Sequence, residues 1–551
     1  MLCPFIHEFQ VPSDTNALSN LTNFIRTAIK TERGTFLLVF VLTLLLRIPF
    51  LIMVRSDPTF QMPVIDSWEF TTWAYRILHG KLLWTTLQNH TPLYAYFLAL
   101  LFLAAGFNFI IVALVQYVLF ALSTALLYLV VARTVNQVTG LVCSLFMATY
   151  WFFIYANTFV FSENLSLFLN MCFLYVLVCH RDTLKKYILA GLLLGLTTIC
   201  RPEMLPFLAL LPFWLAAKQL PGRDALKYYC AVLIMTLLVM VPVVVQNYRI
   251  SGEITLRTQL GANIFMGNTP AFKGTNAGVE IGHDWTTFIS QPHMAAKRTV
   301  GSSESDRYFI GKTIEGIQQD PVGWVRLILS KVFSILTGRE FLRTEDVYIY
   351  NSYMINTPFA VVSTKMLYLL GLTGLVIGLF QFRNLMILYF FWITYASMLF
   401  LPIKTRYLMP NIPLTIVFAA LTIVYLFSAL RSGRKALALA LLGGLFVLNL
   451  AADYNPLGLT VPDVSETYYA IAKNYARHSQ YSRAIDYFKS TIQVNPRNIS
   501  AHNDLGVLLM DLKNYEEALS YFEKAMAIDS SALYPRVNAE RCRKRMLSDK
   551  R

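Results

Sequence analysis

The sequence predicts an all-α protein, with a polytopic helical membrane domain followed by a small C-terminal helical solenoid. Of its 551 residues, 56% are apolar and only 14% are charged. The mean hydropathy is +0.50, which soluble domains of this length do not reach. Long apolar stretches follow one another up to residue 453, and a helical repeat occupies residues 454–551. Together these observations exclude a soluble enzyme.

The membrane domain is predicted over residues 35–453, after a cytoplasmic segment 1–34 that shows no cleavable signal peptide. Two short apolar segments, Leu93–Ala105 and Trp324–Leu336, are predicted to lie along the outer membrane surface. A helix needs about 20 apolar residues to cross the hydrocarbon core. About eleven stretches fit such a span, near residues 35–54, 109–132, 139–156, 164–180, 186–199, 203–217, 226–246, 361–380, 385–401, 408–429 and 436–452.

Basic residues set the predicted orientation of these spans. Lys and Arg accumulate at cytoplasmic ends, and here they cluster at alternate ends, for example at Arg133 and Lys218. The N-terminus is therefore predicted to lie inside, and the loops 55–108 and 247–360 and the repeat domain outside. Topology and contact with lipid head groups also explain the net charge of +15, so no nucleic-acid partner is expected. We favour a bacterial plasma membrane over the endoplasmic reticulum.

The C-terminal domain contains an internal repeat. A shift of 34 residues superposes Ala472 on Gly506 and Phe488 on Phe522. This period, with small residues where two helices cross, resembles the tetratricopeptide repeat. Two units are fewer than a self-supporting stack needs, so we expect a third helix near Leu533–Met546 or the membrane domain to cap them. A structural lid and a groove for a protein partner fit this pattern equally well.

Several ionisable side chains fall at the predicted outer ends of the spans. Such groups are costly beside hydrocarbon and are read as functional by default. The basic ones oppose the inside-positive preference, which suggests that they meet an anion. No spacing of His, Cys, Asp or Glu marks a metal site, and a requirement for a divalent cation stays open. The candidate site residues are Asp66, Glu69, His90, Glu163, Arg201, Lys404, Arg406 and Tyr407.

Short motifs follow one another in a definite order along the membrane domain. They are Leu46-Arg47-Ile48-Pro49, then Asp66, Tyr75, Gly80 and His90-Thr91-Pro92-Leu93-Tyr94, then Ser162-Glu163, Gly191 and Gly195 before Arg201-Pro202-Glu203, then Gln246-Asn247-Tyr248, Gly261-Ala262-Asn263 and Gly267-Asn268, and finally Arg406-Tyr407-Leu408-Met409-Pro410. Their order and sidedness resemble the GT-C class of membrane glycosyltransferases, specifically the group of protein O-mannosyltransferases and lipid A aminoarabinose transferases. The resemblance covers roughly residues 35–430.

The resemblance implies transfer of a single sugar from a polyprenyl-phosphate donor to an acceptor hydroxyl on the extracytoplasmic face, with inversion at the anomeric carbon. Asp66 would be the catalytic general base, since the attacking hydroxyl must lose its proton. A phosphate leaving group needs cations rather than a strong acid, and Arg406, Lys404 and Arg201 are the candidates. Glu163, also predicted to be catalytic, would orient a substrate or hold one of these cations. The other predicted substrate-binding residues are Glu69, His90 and Tyr407.

Structural alternatives accompany these assignments. Asp66 would cap a helix that begins near Trp68, Glu163 would cap the fourth span, and Arg201 would anchor a helix end at the head groups. At the level of the whole chain, the alternatives are a transporter or flippase of lipid-linked sugars and a scaffold for a cell-envelope glycosylation complex. The acceptor stays open between a protein, a lipid and a glycan.

Overall fold

The chain folds into α-helices, as the sequence predicts. The computed structural model describes residues 31–55, 58–61, 63, 65–270, 285–296, 301–338, 361–403, 405–457, 465–530 and 532–549. Within these ranges, β-pairing is restricted to an isolated bridge between Tyr150 and Val362. The all-α class is therefore confirmed.

The N-terminal half of the membrane domain contains an interrupted first helix. A two-residue turn at Leu46–Arg47 separates its two parts, and Pro49 occupies the first turn of the second part, where its missing N–H is tolerated. The helices are α1 (Glu32–Leu45), α2 (Ile48–Val54), α3 (Pro58–Gln61), α4 (Ile65–Leu78), α5 (Leu93–Ala105), α6 (Phe109–Thr134), α7 (Gln137–Thr149), α8 (Trp151–Ala156), α9 (Ser162–Cys179), α10 (Leu184–Cys200), α11 (Phe207–Ala217) and α12 (Gly222–Ser251).

The predicted outer loop 247–360 starts later than expected. Helix α12 continues to Ser251, so Asn247 is helical, and Gly252 ends the helix in the left-handed conformation with φ of 71°. The helices that follow are α13 (Leu260–Asn268), α14 (Trp285–Ala296), α15 (Ser302–Gln319), α16 (Pro321–Leu336), α17 (Thr364–Leu379), α18 (Phe382–Thr394), α19 (Thr405–Leu408), α20 (Ile412–Arg431) and α21 (Lys435–Ala451), with a 3₁₀ turn at Tyr395–Phe400 between α18 and α19.

Several of these helices suit a membrane. Among the described residues, five helices of 18 residues or more are long and apolar enough to cross it, and shorter apolar helices accompany them. The chain is a multi-pass membrane protein, while the number of about eleven spans and the sidedness of the loops stay predictions. The five are Glu32–Val54, Phe109–Thr134, Ser162–Cys179, Gly222–Ser251 and Ile412–Arg431.

Close helix packing builds the core of the membrane domain. Helices α6, α7, α9 and α20 supply much of one large apolar cluster, which includes Phe120, Met147, Phe173 and Phe418. Helices α10 and α12 pack through Gly191, where an added Cβ would lie 2.6 Å from the Val232 carbonyl oxygen. A side chain there would force the two helices apart. The glycine motif before Arg201 thus has a packing role.

The repeat domain has an apolar core of its own. Small residues lie at its helix crossings, since a Cβ on Gly506 would be 2.6 Å from the Phe522 ring. Ala539 and Cys542, from the last helix, join this core, so the predicted capping by a third helix is confirmed. The helices are α22 (Ser465–Arg477), α23 (Tyr481–Val494), α24 (Ile499–Asp511), α25 (Tyr515–Ile528) and α26 (Leu533–Asp549).

A candidate active site built on ion pairs

Asp66 lies in the first turn of α4. The helix begins at Ile65 rather than near Trp68, so Asp66 is the acidic residue of its first turn and does not precede the helix. Its neighbour Ser67 is buried and donates a hydrogen bond of 2.9 Å to the Val160 carbonyl oxygen, which ties α4 to the segment before α9. The Asp66 side chain is 20% exposed, so the carboxylate is accessible without being fully solvated.

Arg406 joins Asp66 to Glu163. Its Nη2 is paired with Asp66 Oδ2, and its Nε lies 2.8 Å from Glu163 Oε1. The three residues come from α19, α4 and α9, which lie far apart in the sequence. The Arg406 side chain is 7% exposed, and its guanidinium carbon lies 5.1 Å from the Phe161 ring centroid. A charge this buried requires close partners, and the two carboxylates supply them.

Glu163 is the most buried carboxylate of the cluster, with a side chain 1% exposed. The N-cap position of α9 is occupied by Phe161 without a side-chain cap, so the predicted capping alternative for Glu163 is wrong. Instead, Glu163 Oε1 lies 2.9 Å from Arg201 Nη1 as well as 2.8 Å from Arg406 Nε. One carboxylate thus holds two guanidinium groups together.

Arg201 is enclosed by acidic groups. Its Nη2 lies 2.8 Å from Glu203 Oε1, and its Nη1 donates a hydrogen bond of 3.2 Å to the Ser162 hydroxyl. The side chain is 8% exposed, so the alternative that it only anchors a helix end at lipid head groups is wrong. Glu163 and Glu203 both pair with Arg201, as Asp66 and Glu163 pair with Arg406, so each guanidinium group is balanced by two carboxylates.

His90 faces the carboxylates of α4. Its Nε2 lies 3.4 Å from Glu69 Oε2 and 3.7 Å from Asp66 Oδ1, and its ring packs on Phe70 with centroids 4.6 Å apart. Burial acts to lower the pKa of His90, but the nearby Asp66 and Glu69 carboxylates outweigh it and raise this pKa to about 9. At neutral pH His90 is therefore an imidazolium held between two acids. Glu69, at 45% exposure, forms the outer edge of this group.

Tyr407 packs beside both guanidinium groups. Its ring centroid lies 5.2 Å from the guanidinium carbon of Arg201 and 5.8 Å from that of Arg406. Cation–π contacts of this kind stabilise partly desolvated arginines. Lys404, the remaining predicted site residue, lies outside the described residues.

Seven of the eight predicted site residues are thus brought into one cluster. Sequence reasoning left out Glu203, Ser162 and Phe161, although the adjacency of Arg201 and Glu203 around Pro202 was a usable signal. Among the described residues, no group of three or more His, Cys, Asp or Glu side chains is placed to hold a metal ion. The chemistry offered by these residues is that of carboxylates and guanidinium groups.

Two protein families match parts of the chain. Residues 89–245 match the family described as dolichyl-phosphate-mannose-protein mannosyltransferase. Residues 469–532 match the tetratricopeptide repeat. An 82-residue segment is 29% identical to Protein O-mannosyl-transferase F38B6.6 of Caenorhabditis elegans, and it covers 15% of this chain and 12% of that protein.

Solved structures of the Archaeoglobus fulgidus oligosaccharyltransferase are also similar. The apo crystal structure has a TM-score of 0.44 at 12% identity, over 79% of this chain and 57% of that one. The structure of AglB from the same organism, with an inhibitory peptide and a dolichol-phosphate, has a TM-score of 0.42 at 12% identity, over 81% of this chain and 59% of that one. The chain thus spans less than two thirds of either archaeal chain.

Residues 89–245 of the membrane domain are thus similar to a mannosyltransferase family of the kind that the sequence motifs resemble. The resemblance predicted from the sequence motifs is confirmed by the mannosyltransferase match, which includes His90, Glu163 and Arg201. The particular combination in this chain is that membrane domain followed by C-terminal tetratricopeptide repeats.

Proposed function

We propose that the protein transfers a single sugar from a polyprenyl-phosphate donor to an acceptor hydroxyl on the extracytoplasmic face, with inversion at the anomeric carbon. The observation that carries this proposal is the Arg406 guanidinium, which is buried and paired with both Asp66 and Glu163. It combines a candidate base and a candidate phosphate ligand in one site.

The reaction follows from the chemistry of these groups. The acceptor oxygen attacks the anomeric carbon as its proton passes to the Asp66 carboxylate, which acts as general base. The bond between the anomeric carbon and the phosphate oxygen breaks, and its electron pair leaves with the polyprenyl phosphate. Because attack and departure occur on opposite sides of the carbon in one step, the product is inverted.

Arg406 is the proposed ligand of the departing phosphate. A guanidinium group carries five N–H donors, so it can serve Glu163, Asp66 and a phosphate oxygen together. Arg201 and Glu163 then hold Arg406 in place, since Glu163 Oε1 contacts both arginines and fixes their separation. In this proposal Glu163 is a positioning residue, and Asp66 is the group that touches the reacting hydroxyl.

Mannose and a protein acceptor are the first substrates to test. The matching family is described as a dolichyl-phosphate-mannose-protein mannosyltransferase, and the worm relative is named a protein O-mannosyl-transferase. The repeat domain also contacts α4 and the residues before it. Arg477 lies 4.3 Å from the ring centroid of Trp68 on α4, and Asn474 donates a hydrogen bond of 3.0 Å to the Pro63 carbonyl oxygen. An acceptor bound by the repeats would therefore lie near Asp66.

The test is transfer by the purified protein from a panel of polyprenyl-phosphate monosaccharides to hydroxyl-bearing peptides, lipids and glycans. NMR of the product would give the anomeric configuration. The proposal expects one donor to support turnover with inversion. Retention of configuration would contradict the single-step mechanism, and exchange of lipid-linked sugar across vesicles without transfer would favour the transporter alternative.

A further inference from the structure

Lys331 is a fully buried lysine on α16, outside the ion-pair cluster. Its side chain is directed into the backbone of two other segments. The ammonium donates hydrogen bonds of 2.8 Å to the Gly267 carbonyl oxygen and 2.9 Å to the Leu401 carbonyl oxygen, and a third to the Leu399 carbonyl oxygen. Three N–H donors thus meet three backbone acceptors.

Burial lowers the pKa of Lys331 to about 7, and the three backbone carbonyl dipoles favour its charged form. A buried ammonium is costly unless all its hydrogen bonds are made, and an ammonium has three to make. No ion pair of Lys331 with a carboxylate is present among the described residues. The carbonyls can converge on one point only if the backbone of residues 399–401 keeps its curvature, so the lysine and this turn stabilise each other.

Helix α13 holds the same turn from a second side. Asn268 donates a hydrogen bond of 2.8 Å from Nδ2 to the Phe400 carbonyl oxygen, and its Oδ1 accepts one of 3.0 Å from the Trp324 indole on α16. At Gly267, an added Cβ would lie 2.5 Å from the Leu401 carbonyl carbon. The backbone carbonyls of residues 399, 400 and 401 are therefore all held by hydrogen bonds from α13 and α16.

The turn leads directly to Arg406. Leu327, one helical turn before Lys331 on α16, packs in a small apolar cluster with Ile403 and Leu408, which flank Arg406 in the sequence. Helix α16 thus contacts the chain on both sides of the arginine. A shift of residues 399–403 would displace the guanidinium from Asp66 and Glu163.

We propose that Lys331 is a positioning residue that sets the place of Arg406 by fixing the turn 399–401. The expected effect on donor binding rests on the proposed function. The fixing of the turn by Lys331 rests on geometry alone. Displacement of a binding group by about 1 Å can cost on the order of 10²-fold in rate. Loss of Lys331 is therefore expected to act on the phosphate end of the reaction although Lys331 touches no substrate.

The first arm of the test is hydrogen exchange and uses the full-length protein without substrate. Lys331→Met removes the three donors at similar length, and Arg326→Met, an exposed position on the same helix, is the matched control. Faster amide exchange in residues 399–409 of Lys331→Met, but not of Arg326→Met, is expected. Equal exchange in the two variants would overturn the proposal whatever the activity. Trp324→Phe, which only releases Asn268, gives a milder second variant with the same expected direction.

The second arm is kinetic. Lys331→Met is expected to raise the donor KM by about tenfold while the acceptor KM stays within about twofold. In a protein that already carries Arg406→Gln, Lys331→Met is expected to cause no further rise in the donor KM. A merely structural role would lower the amount of active enzyme without changing the donor KM, and that result would overturn the proposal. If the wild type transfers no sugar, the proposed function fails, and the exchange result still decides whether Lys331 fixes the turn.

Discussion

Two charged clusters occupy opposite ends of helices α9 and α10, and the chain builds them in different ways. The outer cluster joins Glu163, at the start of α9, to Arg201, at the end of α10, and to Arg406. The inner cluster, on the predicted cytoplasmic side, lies between the two helices around Asp182, whose carboxylate contacts Lys186 at 2.8 Å and Lys218 at 2.6 Å.

The two clusters differ in the sequence separation of their residues and in the exposure of their side chains. The partners of Asp182 fall within 36 residues of it, and its side chain is 25% exposed. Arg406 reaches Asp66 across 340 residues, and Glu163 is 1% exposed. Lysines near a cytoplasmic helix end follow from topology and local pairing. Arginines and acids gathered from distant segments at the predicted outer ends of the helices have no such reason, and the proposed site for an anionic substrate supplies one.

The removal of one cation from each cluster is expected to have the largest difference in effect. Arg406→Gln is expected to lower kcat/KM for sugar transfer by about 10²–10³-fold, as loss of one charge-stabilising donor does. Lys218→Gln removes the same charge at the inner cluster and should leave kcat/KM within about twofold. Assays with a lipid-linked donor over a range of concentrations measure both. Similar losses in the two variants would remove the distinction between the clusters.

Removal of the carboxylate at the centre of each cluster, Glu163 or Asp182, tests both folding stability and sugar transfer. Glu163→Gln leaves two buried guanidinium groups without their shared carboxylate, which costs about 3–5 kcal/mol of folding free energy. Asp182→Asn is also expected to lower the Tm, because Lys186 and Tyr187 lose their partner. Only Glu163→Gln should also raise the donor KM. Thermal unfolding in detergent, followed by kinetics on the folded fraction, distinguishes these results.

The two clusters should respond to pH in opposite directions. The pKa of His90 is raised to about 9, so its stabilising charge is fully present below its ordinary pKa of 6.5 and is lost as the pH rises through 9. Burial raises the pKa of Asp182, but hydrogen bonds from Lys186, Lys218 and Tyr187 outweigh it and lower this pKa to about 2. Its contribution is present above 3.8 and is lost as the pH falls through 2.

The measurement is the Tm difference between the wild type and each variant along a pH series. For His90→Gln the difference should be largest at pH 6 and vanish above pH 9. For Asp182→Asn it should persist to pH 4. A His90→Gln difference that grows with alkaline pH would show that the imidazolium is not paired with Asp66 and Glu69.

The smallest expected effect concerns the contact between the repeats and α4. Trp68→Ala removes the ring that Arg477 covers at 4.3 Å, a contact worth about 0.5–1 kcal/mol at an exposed site. We expect a two- to fivefold rise in acceptor KM and an unchanged donor KM. Tyr534→Ala, a more exposed aromatic residue on the last repeat helix, is the control. An unchanged acceptor KM in Trp68→Ala would favour the structural lid.

Much of the fold was predictable from the sequence. The length of an apolar stretch indicates a membrane helix, and the period of a repeat indicates a pair of packed helices. The 34-residue shift correctly predicted a small residue, Gly506, at a helix crossing, where it lies against Phe522. The details that failed are decided by a few backbone dihedrals or contacts. Gly252 ends α12 five residues after Asn247, and the start of α4 at Ile65 depends on tertiary contacts such as that of Ser67 with Val160.

The candidate site was predictable only in part. Unusual charge on the predicted outer face pointed to Asp66, Glu163 and Arg406, because desolvation makes such residues rare. The sequence analysis offered Glu163 as a residue that holds one cation, but nothing local shows that it pairs with two arginines. Lys331 lies inside the predicted surface segment Trp324–Leu336, and the sequence pattern gives it no role. Its three bonds go to backbone carbonyls, which leave no trace in the sequence.

The transfer rate of Asp66→Asn at saturating donor tests whether Asp66 is the general base, with Asp453→Asn, an exposed acid, as the matched control. Removal of a general base lowers the rate by about 10²–10⁴-fold, and donor affinity should stay close to that of the wild type because Arg406 is retained. Asp453→Asn should behave as the wild type. Full activity in Asp66→Asn, with the sugar still transferred, would contradict the account and place the base elsewhere.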